Sequence, residues 1–182
     1  IDMAKLEDFI AFRAALELHK NNNSMSVVDE IYQKCIKSMY GNNDIFIISS
    51  QGGLPKRITF HSASDLLTDY TSDNNILFST RRDFAQVERE YETHIVSDKG
   101  GTPTRFLNTV GFDSKISPNG KFIAFVKGSC RIQREAYRGP ANRNIWLYDI
   151  DNDKYMQLTT FDGNDFYPHW GDDSTIFFNH LD

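Results

Sequence analysis

The sequence lacks most of the patterns that reveal chemistry directly. Its two cysteines, Cys35 and Cys130, lie far apart and neither belongs to a CxxC pair, so no redox or cysteine metal site is predicted; one disulfide or two free thiols both remain open. No GxSxG, HExxH, Walker or GxGxxG motif is present, which leaves no predicted nucleophile, zinc or nucleotide site. No apolar run approaches the roughly 18 residues of a membrane-spanning helix, so no membrane span is predicted.

The charge balance also excludes one class of partner. A net charge of -5 argues against a general nucleic-acid partner. With 40% hydrophobic and 13% aromatic residues, the 182-residue chain has the composition of a folded globular protein rich in half-buried pleated surface. The chain opens on Ile1, so a preceding segment such as a signal peptide stays open, and with it the choice between periplasm and cytoplasm.

What the sequence does contain is an internal repeat. Four-residue turns, TSDN, SPNG and GDDS, begin at Thr71, Ser117 and Gly171, and each is followed by an apolar triplet: ILF, IAF and IFF. Alternating strands and GG or DND hairpins recur at matching places in the segments 44–80, 92–128 and 144–180. A unit of roughly 50 residues that holds four short strands is typical of a β-propeller blade.

The repeat predicts where the strands lie. We expect one complete blade from 66–71, 75–80, 91–97 and 103–108, and a second from 112–117, 121–127, 144–149 and 155–160. The outer strands 44–50 and 56–60 and the inner strands 166–170 and 175–180 belong to two further, incomplete blades. The fold class is therefore all-β, a partial propeller of about three blades, each a four-stranded antiparallel meander. Because an open arc leaves exposed edges, we expect the remaining blades or a second copy of the chain as partners.

The N-terminal part departs from this pattern. Apolar residues at spacings of three and four between Val28 and Met39 predict a helix, and residues 3–20 favour one too, although DFIAF at 8–12 resembles a blade strand. We therefore divide the chain into a helical segment or insertion at 1–41 and a propeller fragment at 42–182. The helical segment either docks a partner or covers the exposed edge of the arc.

The candidate binding residues lie in enlarged loops. The second and third strands of a blade are joined by long connections at 81–90 and 128–143, which leave the same end of their meanders, and loops on a rigid scaffold commonly carry binding sites. Arginine forks bind carboxylates, so an acidic or C-terminal carboxylate ligand, a peptide or a protein, is indicated. The alternative is that the arginines pair with Glu88, Glu90 and Glu92. The candidate peptide- or partner-binding residues are Arg131, Arg134, Tyr137, Arg138 and Arg143.

Acidic residues at the mouths of the inner strands raise the question of an axial metal. Asp65, Asp113 and Asp165 either converge on a calcium ion near the propeller axis or cap tight loops, and capping is favoured. The histidines show no metal-site spacing. We therefore predict no metal and no cofactor, and a propeller hydrolase with an axial metal is the weakest of the hypotheses.

The motifs resemble a known family. The order Asp-Ile-Phe/Trp, GG, R-x-Leu/Ile-Thr, acidic loop and SPDG-like turn is similar to TolB/tricorn repeats. REAYRGPANRNIWLYD followed by QLTTFDGNDFYPHWGDD resembles the N-terminal six-bladed propeller of tricorn-type proteases, over about residues 37–182. TSDN and GDDS depart from the SPDG turn. Only Trp170 keeps the inner-strand tryptophan of the family, with Tyr70 and Ile116 in the other two places.

The resemblance implies a role without chemistry in this chain. The resemblance implies that catalysis in tricorn-type proteases belongs to a C-terminal serine-hydrolase part that follows a PDZ-like domain. No residue of this chain matches either part, so no catalytic residue is assigned. The hypothesis that follows is a non-catalytic propeller segment of a tricorn-like serine peptidase, which guides or filters peptide substrates. The alternative is a TolB-like module that binds a protein through its enlarged loops.

Overall fold

Short β-strands joined by turns make up the part of the chain that the structure, a computed structural model, describes: residues 42–83, 90–131, 134 and 138–181. The strands are β1 (Phe46–Ile47), β2 (Lys56–Arg57), β3 (Leu66–Tyr70), β4 (Asn75–Thr80), β5 (Glu92–Ser97), β6 (Thr104–Val110), β7 (Phe112–Ile116), β8 (Phe122–Lys127), β9 (Asn144–Asp149), β10 (Lys154–Gln157), β11 (Asn164–Trp170) and β12 (Ile176–Leu181). Residues 44–182 form one compact unit.

The strands assemble into meanders, as the repeat predicts. β3 to β6 form one four-stranded antiparallel sheet in sequence order, and β7 to β10 form a second. β1 pairs with β2, and β11 pairs with β12, as two-stranded antiparallel sheets. The all-β fold and the partial propeller are confirmed. The predicted helical segment at 1–41 and the possible strand at 8–12 lie outside the described residues.

The hairpins owe their tightness to residues with positive φ. Between β5 and β6, Gly100 and Gly101 have φ of 93° and 129°, and the Gly100 amide donates to the Ser97 carbonyl at 2.9 Å. Between β9 and β10 the same place holds Asp153 with φ 48°, a left-handed conformation that short polar side chains tolerate. The GG and DND patterns therefore both supply the residues with positive φ that these tight hairpins need.

The apolar core follows the twofold alternation of β4. Ile76 and Phe78 point to one side of the sheet, where they pack with Ile45, Ile58 and Val96. Leu77 points to the other side, where it packs with Leu107 of its own sheet and with Ile123 and Phe125 of the next. Successive side chains of a strand face opposite ways, so the first complete blade is buried on both faces.

The repeat is also visible in individual hydrogen bonds. The Thr59 hydroxyl accepts from the Ile45 amide at 3.0 Å, and the Thr159 hydroxyl accepts from the Ile145 amide at 2.9 Å. Both threonines are buried. The recurring threonine after the fourth strand of a blade thus satisfies a backbone amide at the start of the third strand.

The inner strand β7 contacts both of the other inner strands, β3 and β11. The Asp69 carboxylate accepts from the Ile116 amide at 2.8 Å, and the Trp170 indole donates to the Lys115 carbonyl at 2.9 Å. Tyr70, Ile116 and Trp170, the three residues that the repeat aligns, line one groove of about 340 Å³. No helix in the described ranges could cross a membrane.

Candidate functional site

The long connections leave the two complete sheets at one end, as the sequence predicts. In a four-stranded meander the connections between the second and third strands leave the same end as the link to the next blade, and here these are 81–91, Gly111 and 128–143. The short hairpins leave the opposite end. We call the first end the loop face. The Gly111 amide donates to the Tyr91 carbonyl at 2.8 Å, which fixes the link between the two blades at this face.

The 128–143 connection is fastened at its base. Gly128 has φ 135°, and a Cβ placed there would lie 2.1 Å from the carbonyl oxygen of Asn142, so only glycine fits. The Cys130 amide donates to the Ala141 carbonyl at 2.8 Å. Cys130 is a buried free thiol, and its possible disulfide partner Cys35 lies outside the described residues.

Three of the predicted arginines are exposed on this connection. Arg131, Arg134 and Arg138 all present their side chains to solvent. Arg138 lies 3.6 Å from the Asp162 carboxylate, and both side chains of this pair are at least 70% exposed. Tyr137, the aromatic candidate, lies outside the described residues. The structure thus places Arg131, Arg134 and Arg138 in one solvated connection.

Arg143 has a different setting from the other three arginines. Its backbone amide donates to Asn164 at 3.2 Å, and its carbonyl accepts from the Asp165 amide at 2.7 Å. Its guanidinium lies 5.0 Å from the centre of the Phe112 ring, and its buried Nε has no hydrogen-bond partner in the described part of the chain. Arg143 therefore joins β7, β9 and β11, and its side chain is only partly accessible to a ligand.

The three acidic residues at the inner strands each contact a basic side chain rather than cap a loop. Both oxygens of the buried Asp65 accept from Arg82. Asp165 lies 2.7 Å from His180 Nδ1, and Asp113 lies 3.3 Å from the Lys115 ammonium. The expectation of capping is therefore wrong for these side chains, because each has a cationic or titratable partner that the linear sequence does not reveal. Among the described residues, none of the three belongs to a group of His, Cys, Asp or Glu side chains spaced to share an ion.

A cluster that the sequence analysis missed lies at the same face. Glu92 and His94, both buried in β5, lie beside Asp83, which follows β4. Burial lowers the pKa of the His94 imidazole, and the Asp83 carboxylate acts in the opposite direction. The signal available in the sequence is Glu-x-His within a strand, which places both side chains on one face. Asp83 comes close because β4 and β5 pair antiparallel, with Thr80 opposite Glu92, so the residues that follow β4 lie beside the start of β5.

The predicted alternative for the arginines involves Glu88, Glu90 and Glu92. Glu88 lies outside the described residues. The Glu92 carboxylate is fully buried, and it accepts a hydrogen bond from the Asp83 amide at 3.4 Å. Because Arg131, Arg134 and Arg138 are exposed, Glu92 is poorly placed to neutralise them. The pairing of these arginines with Glu90 stays a prediction.

Comparison with known proteins identifies the family of these blades. Residues 36–180 match the family model described as the tricorn protease N-terminal β-propeller domain. The chain belongs to this family. The comparison with curated protein sequences gives no match.

Two solved structures resemble this tricorn-type propeller. A TolB-type protein from Agrobacterium tumefaciens is 20% identical with a TM-score of 0.54, and the match covers 73% of this chain and 43% of that one. The crystal structure of the tricorn protease is 20% identical with a TM-score of 0.44, over 69% of this chain and 12% of that one. At this identity the TolB likeness concerns the fold alone. The chain spans less than half the length of either protein.

Proposed function

We propose that this chain is a non-catalytic segment of a tricorn-like serine peptidase, and that its loop face binds peptide substrates and guides them toward an active site carried elsewhere. The observation that supports this most directly is that three arginines of one connection, Arg131, Arg134 and Arg138, are solvent-exposed residues. Family membership supplies the peptidase context. Arg143 and Tyr137 complete the proposed binding set.

The chemistry of the connection suits a carboxylate. An arginine fork donates two parallel hydrogen bonds to a carboxylate, which gives orientation as well as attraction. The ion pair of Arg138 with Asp162 is solvated on both sides. Such exposed pairs contribute about 0–1 kcal/mol, so a peptide carboxylate can replace Asp162 at little cost.

The alternative is a TolB-like module that binds a folded protein through the same face. The TolB-type fold and the anchoring of the connection at Gly128 favour a preformed surface, which suits either ligand. The other partners that we propose are the remaining blades of the ring or a second copy of the chain, which would cover the outer strands.

Peptide titrations of the full chain test the proposal. A fluorescent peptide with a free C-terminal carboxylate is compared with its amidated form by anisotropy. We expect the amide to bind at least tenfold more weakly, and the combined change of Arg131, Arg134 and Arg138 to Gln to cause a similar loss. The matched control changes Lys99, Lys121 and Lys154 to Gln, which removes the same charge from the opposite end of the blades.

Three outcomes would contradict the proposal. Equal losses in the two triple variants would mean that net charge, and not the loop face, attracts the peptide. Equal affinities for the amidated peptide and for the peptide with a free carboxylate would show that the chain does not recognise the carboxylate. Peptide hydrolysis by this chain alone, sensitive to a serine-directed inhibitor, would show that the chain is catalytic. A partner protein whose binding the arginine variant reduces, but which no short peptide displaces, would favour the protein-binding alternative.

A further inference from the structure

Three side chains of metal-ligand type meet at the loop face of the first complete blade. Asp83 follows β4, while Glu92 and His94 belong to β5, and one ligand atom of each lies within 4.8 Å of the other two. The peptide-binding proposal makes no use of them. Among the residues that the structure describes, these three are the one set of His, Cys, Asp or Glu side chains whose ligand atoms come this close together.

The backbone holds two of these side chains rigidly. Glu92 and His94 stand two residues apart on the same face of β5, and their register partners in β4 are Thr80 and Phe78. Both side chains are buried, whereas the Asp83 side chain is 44% exposed. The cluster therefore has a buried side formed by Glu92 and His94 of the strand and a partly solvent-accessible side formed by Asp83.

The surroundings of the His94 imidazole are what indicate a bound ligand. Its Nε2 lies 3.3 Å from the Asp83 carboxylate, and its Nδ1 lies 4.0 Å from the Glu92 carboxylate. Nδ1 is fully buried and has no hydrogen-bond partner in the described part of the chain. Buried polar atoms are almost always satisfied, so a buried nitrogen that faces a carboxylate at a distance too long for a hydrogen bond favours a cation between the two.

The spacing and the charge fit a divalent ion. Zinc bonds to imidazole and carboxylate are about 2.0–2.2 Å long, so two ligand atoms of a tetrahedral site lie about 3.4 Å apart. One imidazole nitrogen binds the ion, and the three ligand atoms lie within 4.8 Å of one another, so binding would draw the Asp83 side chain in toward the two that β5 holds in place. Two carboxylates and a neutral imidazole balance a charge of two. Arg82, which donates to both oxygens of Asp65, and Arg105 are positive charges near His94 and would lie close to a bound cation.

We propose that Asp83, Glu92 and His94 bind a divalent transition-metal ion, Zn²⁺ or one of similar preference. An imidazole ligand favours such ions over Ca²⁺ and Mg²⁺, which prefer all-oxygen sites. The ion fastens the 81–91 connection to β5, and the exposed side of the cluster leaves room for water as a further ligand.

Titration of the tag-free full chain with ZnCl₂, after chelator treatment, tests this proposal independently of peptide binding. We expect saturable binding of one ion per chain by calorimetry, and a Co²⁺ visible spectrum typical of imidazole coordination. His94→Gln abolishes both signals. The control His169→Gln, the same change at an exposed histidine outside the cluster, leaves both unchanged.

A second variant keeps the test decisive if the buried substitution unfolds the chain. Because the Asp83 side chain is 44% exposed and Asn has nearly the same shape, we expect Asp83→Asn to keep the fold by circular dichroism and to weaken Zn²⁺ binding at least tenfold. The proposal is overturned if the folded wild-type chain shows no saturable Zn²⁺ binding, if Asp83→Asn binds as tightly as wild type, or if Ca²⁺ or Mg²⁺ binds in preference to Zn²⁺.

Discussion

The packing between neighbouring blades can be tested at Leu107. This side chain of β6 is fully buried, and it packs with Leu77 of its own sheet and with Ile123 and Phe125 of the next. Leu107→Ala therefore removes apolar contacts that join the two complete blades. We expect a large loss of stability, with the fold retained under native conditions.

The size of the loss follows from the atoms removed. The change deletes three carbon atoms, and each buried methylene contributes about 0.8 kcal/mol, which gives about 2.4 kcal/mol from transfer alone. The cavity left between two rigid sheets adds to this, so the free energy of unfolding should fall by about 2–5 kcal/mol. With a urea m-value of about 2 kcal/mol/M, the midpoint moves down by about 1–2.5 M.

Urea unfolding followed by tryptophan fluorescence measures the shift, because Trp146 packs against the same cluster. The control is Leu54→Ala, the same change at a side chain that is 84% exposed, which should stay within about 0.5 kcal/mol of wild type. Equal midpoints for the two variants would refute the reasoning, since they would mean that the blades share no tightly packed core at Leu107.

The remaining predictions concern hydrogen bonds, an ion pair and a backbone constraint. Thr159→Val leaves the buried Ile145 amide without its acceptor and should cost about 1–3 kcal/mol in chemical unfolding, whereas Thr159→Ser keeps the acceptor and should cost less. Arg82→Met isolates the buried carboxylate of Asp65 and should cost about 3–5 kcal/mol, much of which the double variant with Asp65→Asn should restore; a double variant as unstable as the single one would contradict the pairing. Gly128→Ala combines a forbidden φ with a backbone clash and should lower stability by about 2 kcal/mol or more in thermal unfolding, and a neutral effect would contradict the close approach of Gly128 to Asn142 at the base of the connection.

The strands could be predicted because their signals are local. Alternation, the GG and DND hairpins and the SPDG-like turns each depend on a few adjacent residues, and the predicted strands 75–80, 121–127 and 144–149 agree with the structure within one residue. The shortest strands, β1 and β2, are the least well bounded: the predicted 44–50 and 56–60 shrink to two residues each. Regular hydrogen-bonded pairing between β1 and β2 therefore covers fewer residues than the alternation of apolar residues in 44–50 and 56–60 predicts.

The site was less predictable because it depends on contacts between distant residues. The pairing of Asp65 with Arg82 joins the start of one strand to the end of the next, and nothing in the local sequence distinguishes this aspartate from a loop cap. Asp83 and His94 likewise lie eleven positions apart and on different elements, so their proximity depends on the pairing of β4 with β5 and not on a local motif. For the exposed arginines the sequence could predict the location on a loop, since composition alone carries that information.

The alternation along β4 has a consequence for how such a chain can change over evolution. Ile76 and Phe78 pack on one side of the sheet and Leu77 on the other, so each apolar position of this strand belongs to one of two packed clusters and a mutation at any of them weakens one of the two. The described residues of the connections 81–91 and 128–143 belong to neither of these two clusters. Sequence drift and insertions should therefore accumulate in the connections, while the middle strands of the blade accept few replacements.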